Sequence, residues 1–170
     1  MIYLDWDLQV QTDPDIRAGM NAAAEAAVCR EGIRLPCAVH ICLCDDHLIA
    51  EINEKYRGIA ASTDVLSFPS VSYPAGKTAG SCEPLLRLEF DDEARACFLG
   101  DLFISVPHML RQAEEYGHSA LREGCYLMVH GLCHLMGYDH IQEEERNRMR
   151  AMEEQILSSV NITRFPASKE

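Results

Sequence analysis

Three histidines in one short stretch carry the chemistry of this chain. Val129 to His140 reads V-H-G-L-C-H-L-M-G-Y-D-H and supplies imidazoles at His130, His134 and His140. The first two are four residues apart, so on a helix they stand one above the other on the same face. Gly137 follows three residues after His134. Glycine is the usual residue where a helix stops and the chain turns back through a left-handed conformation. Beyond that break His140 is free of helical geometry and can swing round to the other two. Three convergent imidazoles make a three-ligand zinc site with one position open for water or substrate. A lone histidine is more often a surface or partnered side chain than a ligand. Here Leu132, Cys133, Leu135 and Met136 bury the helix around the pair. A shared metal satisfies several buried neutral imidazoles at once. The stretch therefore reads as the centre of a metal-dependent hydrolase.

The spacing H-x3-H-x2-G-x2-H is that of the metzincin zinc proteases, with one difference. Those enzymes carry glutamate directly after the first histidine as general base. Here that position is Gly131. Peptide hydrolysis needs a base to take a proton from the activated water, so a zinc peptidase is disfavoured. Cys133, between the two helical histidines, is open to two readings, fourth ligand or packing, and packing is favoured. The eight cysteines form no C-x2-C pair and read as free thiols. Cys42 and Cys44 flank Leu43 in a strand and share a face, where core packing is favoured over a second zinc site.

The elements that must position these histidines are legible along the chain. Ile2 to Val10 reads as a first strand anchored by Trp6. Asp13-Pro14 starts an alanine-rich helix that Gly32 ends. Cys37 to Leu43 is a short β-type run. Asp45 or Asp46 caps a helix to about Lys55, closed by Tyr56-Arg57-Gly58. Thr63 to Pro69 is a strand that Pro69 limits or places at an edge. Residues 70–97 read as a variable surface insert, a hairpin or loop, with Leu85 to Phe90 as a possible extra strand. Phe98 to Val106 is a buried strand, and Pro107 begins a helix to about Tyr116. Ser119 caps the long helix that carries His130 and His134, with Leu121, Cys125, Met128, Leu132 and Leu135 as its apolar stripe. A last helix from about Glu143 turns Met149, Met152, Ile156 and Leu157 inward and its acidic face to solvent. The sum is one α+β domain over residues 1–170, with a mixed sheet of about four strands, about five helices and a metzincin-like zinc helix across the sheet.

Composition narrows the class. The chain has 170 residues, 48% hydrophobic and 25% charged, as a soluble globular domain does. No apolar run is long enough for a bilayer, and M-I-Y-L-D-W-D lacks the basic start and apolar core of a signal peptide. A cytoplasmic protein with no membrane partner is expected. Taken alone, the net charge of −12 argues against a nucleic-acid protein, because phosphate binding normally comes with a basic footprint. An RNA enzyme of this charge would need a local basic cleft.

Five blocks in order carry a family resemblance: N-E-K-Y-R-G at 53–58, T-D-V-L-S-F-P at 63–69, L-G-D-L-F-I at 99–104, H-S-A-L-R-E at 118–123 and the histidine stretch at 129–140. The chain resembles the YbeY family of ribosomal-RNA maturation endoribonucleases from Asn53 almost to its end. The resemblance implies a zinc-dependent, single-strand-specific endoribonuclease acting in 16S rRNA 3′-end maturation, ribosome quality control and small-subunit assembly. It implies one Zn2+ held by His130, His134 and His140, and Arg57 as the catalytic arginine beside it. Implied partners are single-stranded ribosomal RNA and the small ribosomal subunit with its proteins. Asp64, Asp101, His118, Arg122 and Asp139 stand in matching blocks, but no role is carried over to them. The position of Cys133 usually holds leucine in the family, and the insert is longer than in its shortest members.

The chemistry is consistent with the residues. Zinc can act as a Lewis acid or lower the pKa of water, and Arg57 can hold a phosphate bidentately. Tyr56, Phe68 and Tyr138 are candidates for stacking on splayed bases, although packing or wall-lining is favoured for each. The alternative function is a non-catalytic small-subunit assembly factor with a structural zinc.

Overall fold

The computed structural model describes residues 1–163. Strand β1 (Ile2–Leu8) leads through helix α1 (Pro14–Glu31) to β2 (Cys37–Cys44) and α2 (Asp46–Arg57). Then come β3 (Val65–Pro69), a four-residue helix α3 (Glu83–Leu86), a two-residue strand β4 (Phe90–Asp91) and β5 (Ala96–Ser105). Helices α4 (Val106–Tyr116), α5 (Ala120–Leu135) and α6 (Glu143–Ser159) follow. The sheet order is β1-β2-β5-β3. β1, β2 and β5 run parallel, and β3 runs antiparallel to β5. β4 pairs with the start of β5. No helix among the described residues is long and apolar enough to cross a membrane.

The helix ends follow the local chemistry. The Asp13 carboxylate accepts from Asp15 N, and Gly32 closes α1 in the left-handed conformation. Asp45 accepts from Leu48 N to cap α2, and Ser119 accepts from Arg122 N to cap α5. Each cap satisfies an N–H that the first helical turn leaves without a partner.

Two apolar layers hold the sheet. On one face, Val39, Ile41 and Leu43 of β2 and Leu102 and Ile104 of β5 meet α1, α5 and α6 in the main core. On the other, Cys42, Cys44, Ile49 and Leu66 form a smaller core under α2. Alternation along β2 therefore places Cys42 and Cys44 together as packing residues. Their thiols are buried, and burial pushes the Cys42 thiol up to about 11 and that of Cys44 up to about 12.

The segment read as a surface insert differs from that expectation. Leu85 to Glu89 lies in α3 and a following turn, and of the run read as a possible strand only Phe90 pairs with β5, in β4. Leu86 is fully buried, as is Ala79. Pro84 at the start of α3 favours the helical turn, and burying Leu86 outweighs the β-propensity of the flanking residues.

Candidate metal centre and its cleft

Helix α5 is buried along most of its length, and its two histidines face the opening that remains. Leu127, Met128, Val129, Leu132, Cys133 and Leu135 are all buried around them. Gly131 lies against β5: a Cβ there would meet Leu102 Cδ2 at 2.6 Å. The position a metzincin gives to its glutamate is thus turned onto the sheet. After Leu135 the chain breaks at Gly137 (φ +93°), where any side chain would also run into Tyr73. Asp139 Oδ1 then accepts from His140 N at 2.6 Å and tightens the turn that returns His140.

The three imidazoles converge. One ligand nitrogen from each lies within 4.8 Å of the other two. His130 Nδ1 is 2.7 Å from Glu153 Oε1, and His134 Nδ1 is 3.1 Å from the carbonyl oxygen of Tyr138. A carboxylate and a carbonyl oxygen both accept, so in the neutral ring each Nδ1 carries the proton and each Nε2 presents a lone pair. Those two Nε2 atoms face each other at 3.2 Å. Two lone pairs at that distance repel unless a cation lies between them. Nitrogens bound at ~2.0–2.1 Å to a tetrahedral ion stand ~3.3 Å apart. The donor set, its spacing and its outer acceptors all fit one zinc-like ion. Burial, followed by its imidazole neighbours, holds His134 down to about 4, so it is neutral and able to ligate at neutral pH. Cys133 does not join them: it is fully buried in the main core, and burial pushes its thiol far up.

The cluster opens into a cleft of about 830 Å³ lined by Arg57, Asp64, Tyr73, Tyr126, Tyr138 and Asp139 among others. Arg57 ends α2 and is exposed. It forms no ion pair or hydrogen bond among the described residues, so its guanidinium is available to an anion in the cleft. β3 forms one wall, and its alternation divides its residues. Val65, Ser67 and Pro69 face the cleft, whereas Leu66 and Phe68 face the small core. Phe68 is therefore not a stacking surface, and Tyr56 packs on it at 5.1 Å between ring centroids. Tyr138 does line the cleft, with its hydroxyl donating to Glu31 Oε2 at 2.7 Å.

Glu153 escaped the sequence reading, which turned the acidic face of α6 to solvent. Only 4% of it is exposed. Its signal was present: it lies four residues after Met149 and three before Ile156, a carboxylate on the apolar stripe. Tyr126 and Asp64 were also missed as cleft walls.

Fold and site together define a single-domain α+β protein with three histidines arranged to hold one metal ion beside an uncommitted arginine. The sequence matches the family described as Endoribonuclease YbeY over residues 4–161. A Clostridium tetani protein named Endoribonuclease YbeY is 40% identical over 167 residues, covering 96% of this chain and 99% of its own. One of the same name from Clostridium perfringens is 42% identical over 137 residues, covering 79% and 80%. The chain belongs to the endoribonuclease YbeY family. A solution structure from Thermotoga maritima shares the fold, with a TM-score of 0.56 at 20% identity over 95% of this chain and 92% of that one.

Proposed function

We propose that this chain is a zinc-dependent endoribonuclease that cuts single-stranded ribosomal RNA and serves 3′-end maturation and assembly of the small ribosomal subunit in the cytoplasm. The observation that carries the reading is the pair of Nε2 atoms that face each other at 3.2 Å, with His140 beside them and Arg57 on the same cleft. The names of the family's curated members supply the substrate class.

His130, His134 and His140 would hold the ion, and zinc there supplies Lewis-acid chemistry at neutral pH. The chain's own residues do the rest. Arg57 can grip two phosphodiester oxygens through its forked N–H groups and stabilise charge that builds on phosphorus. Glu153 and the Tyr138 carbonyl fix the tautomers and aim of the two helical imidazoles. A duplex holds its bases stacked and paired, so an open cleft walled by tyrosines favours strands whose bases can splay. Gly131 leaves the peptidase reading without its base.

The test is cleavage of a labelled single-stranded ribosomal-RNA fragment. Wild type, chelator-treated protein and His134→Ala, purified identically, are compared. Loss of the cut in both controls supports the enzyme. Equal cutting by all three exposes a contaminant. Stoichiometric metal without any cut shifts the reading to an assembly factor in which the metal is structural.

A further inference from the structure

Behind the cleft lies a second recess, of about 260 Å³, that nothing in the metal chemistry uses. Asp64 and Tyr126 line both spaces and form their common wall. Tyr126 also stands beside the metal site, with its ring centroid 5.9 Å from that of His130. Deeper in, the recess is walled by Gln112, His118, Arg122 and Glu123.

This wall is unusually short of partners. Glu123 is 2% exposed, and its one close contact is His118 Nε2 at 3.1 Å from Oε2. Of six buried side-chain nitrogen and oxygen atoms without a hydrogen-bond partner among the described residues, three belong here: Gln112 Oε1, Arg122 Nε and Arg122 Nη1. Native folds rarely leave buried polar atoms unpaired, and half of those found here belong to residues that wall this recess. Asp64, by contrast, is fixed: it accepts from Val65 N, Thr63 Oγ1 and Gln112 Nε2. Burial, and then the neighbouring Asp64, push the Glu123 carboxyl up to about 7, against the pull of Arg122.

The chemistry of the occupant follows. Two carboxylates repel a phosphate. A metal ion finds no third ligand, since only the three histidines bring ligand atoms together among the described residues. The walls are polar and partly aromatic, and the recess shares its Asp64 and Tyr126 wall with the cleft that Arg57 lines. We propose that it is a nucleobase subsite for the nucleotide flanking the scissile phosphate, with Glu123 reading a base that offers adjacent N–H donors, guanine foremost. This rests on the endoribonuclease reading above. Guanine presents N1–H and N2–H2 side by side, which the ionised Glu123 carboxylate accepts in parallel, its Oε2 facing His118 Nε2 as well. The Tyr126 phenol, on the wall shared with the cleft, can donate to a base carbonyl or ring nitrogen. Uracil sets carbonyl oxygens on both sides of its single N–H and would face the carboxylate with repulsion.

The experiment uses the full, metal-loaded chain and short single-stranded RNAs differing at one base beside a fixed cut. A second set carries 2′-O-methyl groups and is read by fluorescence anisotropy, which reports binding without cleavage. Expected is a preference for guanine over uracil on the order of tenfold at one flanking position in both assays. Glu123→Gln should bring that ratio close to one while keeping its metal content and a melting temperature no lower than wild type at pH 8. Equal losses on every base in Glu123→Gln, or a preference it leaves intact, would overturn the subsite and reduce Glu123 to a brace for His118. Base-selective, Glu123-dependent binding without any cleavage keeps the subsite and removes the nuclease reading. Cleavage indifferent to the flanking base does the reverse, and absence of both binding and cleavage removes both.

Discussion

Two histidine–carboxylate pairs stand on or beside helix α5, and only one belongs to the cluster of three histidines. His130 gives Nδ1 to Glu153, which leaves Nε2 facing His134. His118 Nε2 lies 3.1 Å from Glu123 Oε2, and its Nδ1 lies 3.5 Å from the Ser119 carbonyl oxygen. The first imidazole keeps one nitrogen turned to other imidazoles; both nitrogens of the second already face oxygen atoms. A carboxylate beside a histidine therefore says little about function. What matters is which ring nitrogen it occupies, and whether other imidazoles meet the one left over.

The sharpest break of this comparison is His134→Ala. It should abolish stoichiometric metal binding, read by elemental analysis, and RNA cleavage together. An equivalent change at His118 should leave metal content untouched. Arg57→Ala should keep the metal and lower the cleavage rate on the order of 10²-fold; retained rate would move phosphate binding elsewhere in the cleft. Glu153→Gln removes the charged acceptor from His130 Nδ1 and should weaken metal affinity by roughly 10–100-fold in a competition with a chromophoric chelator.

Glu123 predicts a pH effect of the opposite kind. Its folded pKa lies above its value in the unfolded chain, so folding favours its protonated form. The stability it contributes is present below the unfolded value of 4.5 and is lost as pH rises through about 7. Between pH 5 and pH 8 the loss is on the order of 3 kcal/mol. Denaturant midpoints across that range should fall for wild type and change less for Glu123→Gln. The smallest effect is expected at Cys133→Ala: metal content unchanged and stability lowered by about 1 kcal/mol, the cost of a small cavity. A loss of metal there would make the thiol a ligand after all.

Much of this molecule is written locally. His130, His134 and the break at Gly137 follow from helical spacing and from glycine's access to positive φ. The caps at Asp13, Asp45 and Ser119 follow from short side chains that reach the first-turn N–H groups. Regular elements with strong periodicity, β2, α2, β5 and α5, were all readable, and with them the α+β class. Where the reading failed, distant parts of the chain decided. Leu86 turns inward into the main core. Phe68 packs on the small core, the role the sequence favoured for it, because it points to the α2 side of β3. Glu153 looked solvated because only the docking of α6 on α5 brings it to His130. The recess of Asp64, Gln112 and Glu123 gathers residues from the turn before β3, from α4 and from α5, whose proximity no local pattern encodes. Sequence determined which residues could ligate, because ligand type and helical spacing are local properties. Tertiary structure decided what holds them in aim and what surrounds them, because packing between distant elements sets which nitrogen is occupied, which face is open and which carboxylate is buried.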